Sequence, residues 1–115
     1  MKTNHAAGVD AEDLASAHLK ANGYKILEKR FKTKHGEVDI IARKPKELAF
    51  IEVKKRKNFG FDDPISPTQK KRIANAALQY LAENEELNEL EMRFDSIFID
   101  AHNNIEHITD AWRTS

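Results

Sequence analysis

The sequence contains no cysteine. That removes disulfides, thiolate zinc ligands and a thiol nucleophile together. Only 4 glycines and 3 prolines are present, with no tract rich in Gly, Ser or Pro that would join two domains, and no Walker-type glycine loop. No apolar run approaches the roughly 20 residues of a membrane span. The opening stretch MKTNHAAGVDAED has no apolar segment like that of a signal peptide, so a cytoplasmic protein without membrane association is expected. The 5 histidines show no ligand spacing, and no Ser-His-Asp arrangement is visible. Net charge is also missing: 19 basic residues face 19 acidic ones. A basic excess is the usual footprint of a nucleic-acid binder, so this balance first argues against one.

What is present is a single domain of 115 residues, polar but globular. Val9, Leu14, Ala15 and Leu19 give a stripe with helical spacing and predict a helix over 5–22, stopped by Gly23 in the left-handed cap position. Strands are predicted over 24–33, 37–43 and 48–54, with the KPKE segment at 44–47 turning the second into the third. Short connections make these three an antiparallel meander. A loop over 55–65 follows. Ser66 as N-cap, Pro67 at the first helical position and Gln69 at capping-box spacing then start a second helix. Ile73, Ala76, Ala77, Tyr80 and Leu81 form its apolar face. The acidic run at 83–91 is its frayed end or a short extra turn. A fourth strand covers 93–100, with Phe94 and Phe98 on one face and Ile97 and Ile99 on the other, and a fifth covers 104–109. The expected fold is α/β, with a mixed central sheet flanked by helices.

Chemistry is suggested where charge interrupts apolar strands. Alternation places Leu48, Phe50, Glu52 and Lys54 on one face of the third strand, and Ala49, Ile51 and Val53 on the other. The turn is centred near 45–46, so Asp39 and Glu52 are almost equidistant from it and come opposite each other. Two facing carboxylates repel unless a cation lies between them. Oxygen ligands without cysteine or a histidine pair suit Mg²⁺ or Mn²⁺ rather than zinc. A lysine two residues on can orient a water or stabilise growing charge on a phosphate. Taken alone, Glu-x-Lys is usually a solvated face, and Asp39 alone an ordinary strand-end acid. Their mirrored positions about one turn carry the signal.

Gly36-Glu37-Val38-Asp39, then Phe50-Ile51-Glu52-Val53-Lys54-Lys55-Arg56, then Phe59-Gly60 and the helix with Ala76-Ala77 and Tyr80-Leu81, resemble the YraN family of small bacterial proteins. That family is similar to the PD-(D/E)XK nuclease superfamily and to archaeal-type Holliday-junction resolvases. Glu12, Gly23-Tyr24, Arg93-Phe94-Asp95 and the Ala111-Trp112 ending extend the likeness over nearly the whole chain. It implies a restriction-endonuclease-like core of order α-β-β-β-α-β, which agrees with the order read from the residues. It implies that Asp39, Glu52 and the Val53 carbonyl hold Mg²⁺ or Mn²⁺, that Lys54 positions the attacking water, and that Glu12 adds a further carboxylate. Near the start of a helix, Glu12 also suits the helix dipole without any such role. Val38 stands where the superfamily's name has proline. Gln69 stands where the family's second-helix lysine is expected, a catalytic position that a capping-box role fits equally well.

Phosphate contacts are expected from Lys55, Arg56 and Lys57, from Lys70, Lys71 and Arg72, and from His35 beside Gly36. The implied activity is metal-dependent hydrolysis of phosphodiester bonds in branched or otherwise structured DNA, by a homodimer. The alternative is a nuclease-fold module that holds DNA or a protein without cutting. The charge balance then reads differently. Residues 1–72 carry 17 basic and 10 acidic residues, and residues 73–115 carry 2 and 9. The zero is a sum of two opposite halves, a basic face for DNA and an acidic back.

Overall fold

The computed structural model describes residues 10–56 and 65–114. Among these, the chain forms helix α1 (Ala11–Ala21), strands β1 (Lys25–Thr33), β2 (Gly36–Lys44) and β3 (Glu47–Arg56), helix α2 (Pro67–Glu83), a 3-10 turn (Glu85–Glu89), and strands β4 (Glu91–Asp100) and β5 (Ile105–Trp112). The sheet order is β1-β2-β3-β4-β5. All neighbours are antiparallel except β3 and β4, whose parallel pairing is bridged by α2. This is the expected α/β order with its fifth strand present.

Local chemistry sets the element ends. Asp10 is extended, and its carboxylate accepts the Glu12 N–H at 2.8 Å. Within the described residues the first helix starts at Ala11, since an N-cap cannot itself be helical; residues 5–9 of the expected span lie outside the described residues. Gly23 ends it with φ +89°, as read from the sequence. Pro45 and Lys46 turn β2 into β3, closed by the Lys44–Glu47 pair. Ser66 accepts the Gln69 N–H at 3.1 Å and fixes the start of α2. The fifth strand runs on to Trp112, because that ring stacks on Phe94 at 4.2 Å. The acidic run becomes the 3-10 turn, anchored by buried Leu87.

Two apolar layers cover the sheet. Ala15 and Leu19 of α1 pack on Ile40, Ala42, Ala49, Ile51, Ile97 and Ile99. Ile73, Ala76, Ala77 and Tyr80 of α2 pack on Val38, Ile41, Leu48, Phe50 and Phe94. β3 alternates as expected. β2 does not: Val38 joins the α2 layer and Ile40 the α1 layer, although two residues apart should share a face. The break falls at Asp39. Across the ladder stands Arg30, with φ +55°; the β1–β2 register is the same on either side of it, Phe31–Val38 and Lys29–Ile40, and shifts only between Ile26 and Glu28. A local irregularity thus twists β2 where it carries Asp39.

Candidate metal and phosphate site

The β2–β3 ladder ends at Ile40–Ile51. One step further, Asp39 and Glu52 stand where the register would pair them. The Asp39 carboxylate replaces the missing ladder bond, since its Oδ2 accepts the Val53 N–H at 2.8 Å. The N–H and C=O of one strand residue face the same edge, so the Val53 carbonyl also faces the edge that Asp39 occupies.

Glu52 and Lys54 lie on the α2 side of β3, as alternation requires. The Glu52 carboxyl is pushed up to about 8. Burial is the main cause, followed by the charge of Asp39 and hydrogen bonding with it; Glu37 adds to the effect and Lys54 opposes it. Lys54 donates from Nζ to Gln69 Oε1 at 3.2 Å. Gln69 therefore uses its backbone N–H on the Ser66 cap and its side chain on Lys54.

Above this group lies a cavity of about 210 Å³, lined by Glu37, Glu52, Gln69, Arg72 and Ile73. Acids form its floor, and the opening turns of α2 form its opposite wall. Gly36 brings the two together. A Cβ on Gly36 would lie 1.9 Å from the Arg72 carbonyl oxygen, so only glycine lets β2 approach the α2 backbone this closely.

The remaining expected residues are placed differently. Glu12 is held by Arg30, Nε to Oε1 at 2.6 Å, and Arg30 also binds Asp10 at 3.0 Å. Among the described residues no three His, Cys, Asp or Glu side chains are gathered as a metal centre; the acids brought together are Asp39 and Glu52. Arg56 pairs with Glu106 at 2.7 Å and lies over the Phe98 ring. Lys55, Lys71, Arg72 and His35 are exposed, and Lys70 is half-buried. Lys57, with Phe59, Gly60 and Phe61, lies outside the described residues.

Sequence reasoning missed two features. Glu37 joins the cavity wall. On the far side of the sheet, Asp95 is fully buried, and accepts from Arg93 Nε at 2.9 Å and from the Asp110 N–H at 2.9 Å. His107 Nε2 lies 2.9 Å from its other oxygen, and Arg93 also reaches Tyr24 Oη and Glu47. Asp95 interrupts the apolar run RFDSIFID just as Asp39 interrupts VDII, and that was a usable signal.

The sequence model of "Uncharacterised protein family UPF0102" matches residues 11–99. A UPF0102 protein of Bradyrhizobium diazoefficiens is 42% identical over 111 residues, covering 94% of this chain and 82% of that relative. One from Nitrobacter winogradskyi is 41% identical over 112 residues, covering 95% and 93%. One from Bradyrhizobium sp. (strain ORS 278) is 43% identical over 111 residues, covering 94% and 77%. The match spans the site from Glu12 through Asp39, Glu52 and Lys54 to Gln69 and Arg72, and the chain belongs to the UPF0102 family.

Proposed function

We propose that this protein is a metal-dependent endonuclease of the PD-(D/E)XK type, hydrolysing phosphodiester bonds in structured DNA. One observation carries the reading: Asp39, Glu52 and Lys54 converge beneath a cavity whose opposite wall bears Arg72. Two carboxylates held this close without a cation repel, and this is the donor chemistry that a hard divalent ion satisfies. Asp39, Glu52 and the Val53 carbonyl would hold Mg²⁺ or Mn²⁺. When bound, such an ion supplies charge neutralisation at the phosphate and a more acidic water.

The protein's own groups account for the rest. Gln69 holds the Lys54 ammonium beside the acids, where it orients a water and faces the developing phosphate charge. Arg72, with no hydrogen-bond partner among the described residues, grips a phosphate oxygen from the far wall. Lys55 and Lys71 follow the strand outward. Cutting two symmetric strands calls for a homodimer.

The test is cleavage of linear, single-stranded, flapped and four-way DNA in Mn²⁺ and Mg²⁺. Asp39→Ala and Lys54→Ala should each remove activity; cleavage unchanged in both sinks the reading. The binding-module alternative is favoured by one observation, the engagement of Glu12 with Arg30 instead of a third place in the acid group. Calorimetry separates the two. Mn²⁺ binding that Asp39→Ala abolishes supports the nuclease. DNA binding indifferent to metal and to Asp39→Ala supports the module.

A further inference from the structure

A second cavity, of about 180 Å³, opens on the same side of the sheet. Its walls include Lys70 of α2, Ser96 and Phe98 of β4, and Ile108, Ala111 and Trp112 of β5. The ladder registers place it next to the acid site. Glu52 pairs with Ser96 across β3–β4, and Ser96 pairs with Ile108 across β4–β5. Neighbouring strands lie about 4.8 Å apart, so the cavity begins one strand from Glu52 and ends two strands away. That offset is within the reach of a single nucleotide.

The lining suits a flat heterocycle. Trp112 is fixed against Phe94, the rings 18° from parallel, and its buried indole N–H has no hydrogen-bond partner among the described residues. Lys70 Nζ stands 5.8 Å from the Trp112 ring centroid. Ile108 is a large apolar side chain left 37% exposed at the rim. Lys70 also sits in the opening turns of α2, where a cation opposes the helix dipole, and no acid in the first turn offsets it. A polyanion bound across both cavities would supply the missing counter-charge. An aromatic wall, a hydroxyl and an ammonium together match the face, the edge and the flanking phosphate of a base.

We infer that this cavity is a nucleobase pocket, taking one unpaired base from the strand whose phosphate lies at Asp39 and Glu52. The inference rests on the nuclease reading and narrows its substrate. A paired base must first leave its stack, at a cost, whereas an unpaired base enters freely. The site thereby selects strands with an unpaired nucleotide beside the scissile phosphate, as at bulges, flaps and branch points.

Trp112 is the only tryptophan in the chain, so its fluorescence reports on this cavity. The full-length protein is titrated in Ca²⁺ with a duplex carrying one bulged nucleotide, the same duplex with an abasic bulge, and the fully paired duplex. The bulged duplex should quench Trp112 and bind about tenfold more tightly than the abasic one, the loss expected for one stacked base. Ile108→Phe, which fills the pocket from its exposed rim, should bring the bulged duplex down to the abasic level. Lys70→Ala should weaken the bulged duplex more than the paired one.

Equal binding of all three DNAs with unchanged fluorescence overturns the pocket. Mn²⁺-dependent cleavage, measured beside it, then still stands for the nuclease. Neither binding nor cleavage of any DNA overturns both.

Discussion

Asp95 and Glu52 are both acids set into apolar strands, on opposite faces of one sheet, and the fold treats them in opposite ways. Burial alone would push Asp95 up, but His107, Arg93 and the Asp110 N–H overcome it and hold its carboxyl below the usual range. Arg93 is raised in turn. Among the described residues Glu52 receives no such set of donors. Its nearest charged company includes Asp39 and Glu37, and its carboxyl is raised to about 8. A charge buried among its partners is part of the scaffold. One buried beside like charges is a standing cost, and such costs concentrate where a ligand is to be met.

The largest expected effect is on the Asp95 side. Asp95→Asn takes from the Arg93 guanidinium its buried charged partner and leaves it only the half-buried Glu47, a change of about 3–5 kcal/mol. Typical total stabilities are about 5–15 kcal/mol, so the urea midpoint should fall far below that of the parent chain. A loss under about 1 kcal/mol would break the comparison, because Asp95 would then be no better compensated than Glu52.

Gly36→Ala comes next, and it ties scaffold to site. The new Cβ would overlap the Arg72 carbonyl, so α2 must shift, at about 1–3 kcal/mol. The shift should also loosen Gln69 from Lys54 and weaken Mn²⁺ binding measured by calorimetry. Lost stability with unchanged Mn²⁺ affinity would show that α2 does not position the acid side of the cavity.

The two acids also mark the limit of what the residues disclose. Both interrupt apolar runs, so the sequence flags both. It locates the partner of Asp39 because a two-residue turn fixes the β2–β3 register by counting outward from Pro45 and Lys46. It cannot locate the Asp110 N–H beside Asp95, because the β4–β5 register shifts between Phe94 and Ser96. One displaced residue changes every partner beyond it. The start of α2 was legible for a similar reason: Ser66 and Pro67 act locally. The side-chain choice of Gln69 was not, since cap and site compete and only the approach of Lys54 decides. Arg30 was likewise out of reach, because its positive φ answers to the twist at Asp39 and to no local turn motif.

The smallest effect carries the sharpest sign. Glu52 binds its proton more tightly in the folded chain, with a pKa of about 8 against an ordinary 4.5. Between those values the folded state holds more protons than the unfolded one. Metal-free stability therefore falls as pH rises from about 4.5 to about 8. Glu52→Gln removes the titrating group, so this slope should flatten and the variant should be more stable than the parent at pH 8, by on the order of 1 kcal/mol. Urea titrations in EDTA at pH 5 and pH 8 read the difference directly. The same substitution should abolish Mn²⁺ binding, because one of two anionic oxygen donors is gone. A variant that is less stable at pH 8, or that keeps its metal, would place Glu52 with Asp95 as scaffold. Stabilisation with loss of metal would confirm the contrast, since a supporting acid cannot be removed with gain whereas an acid waiting for a cation can.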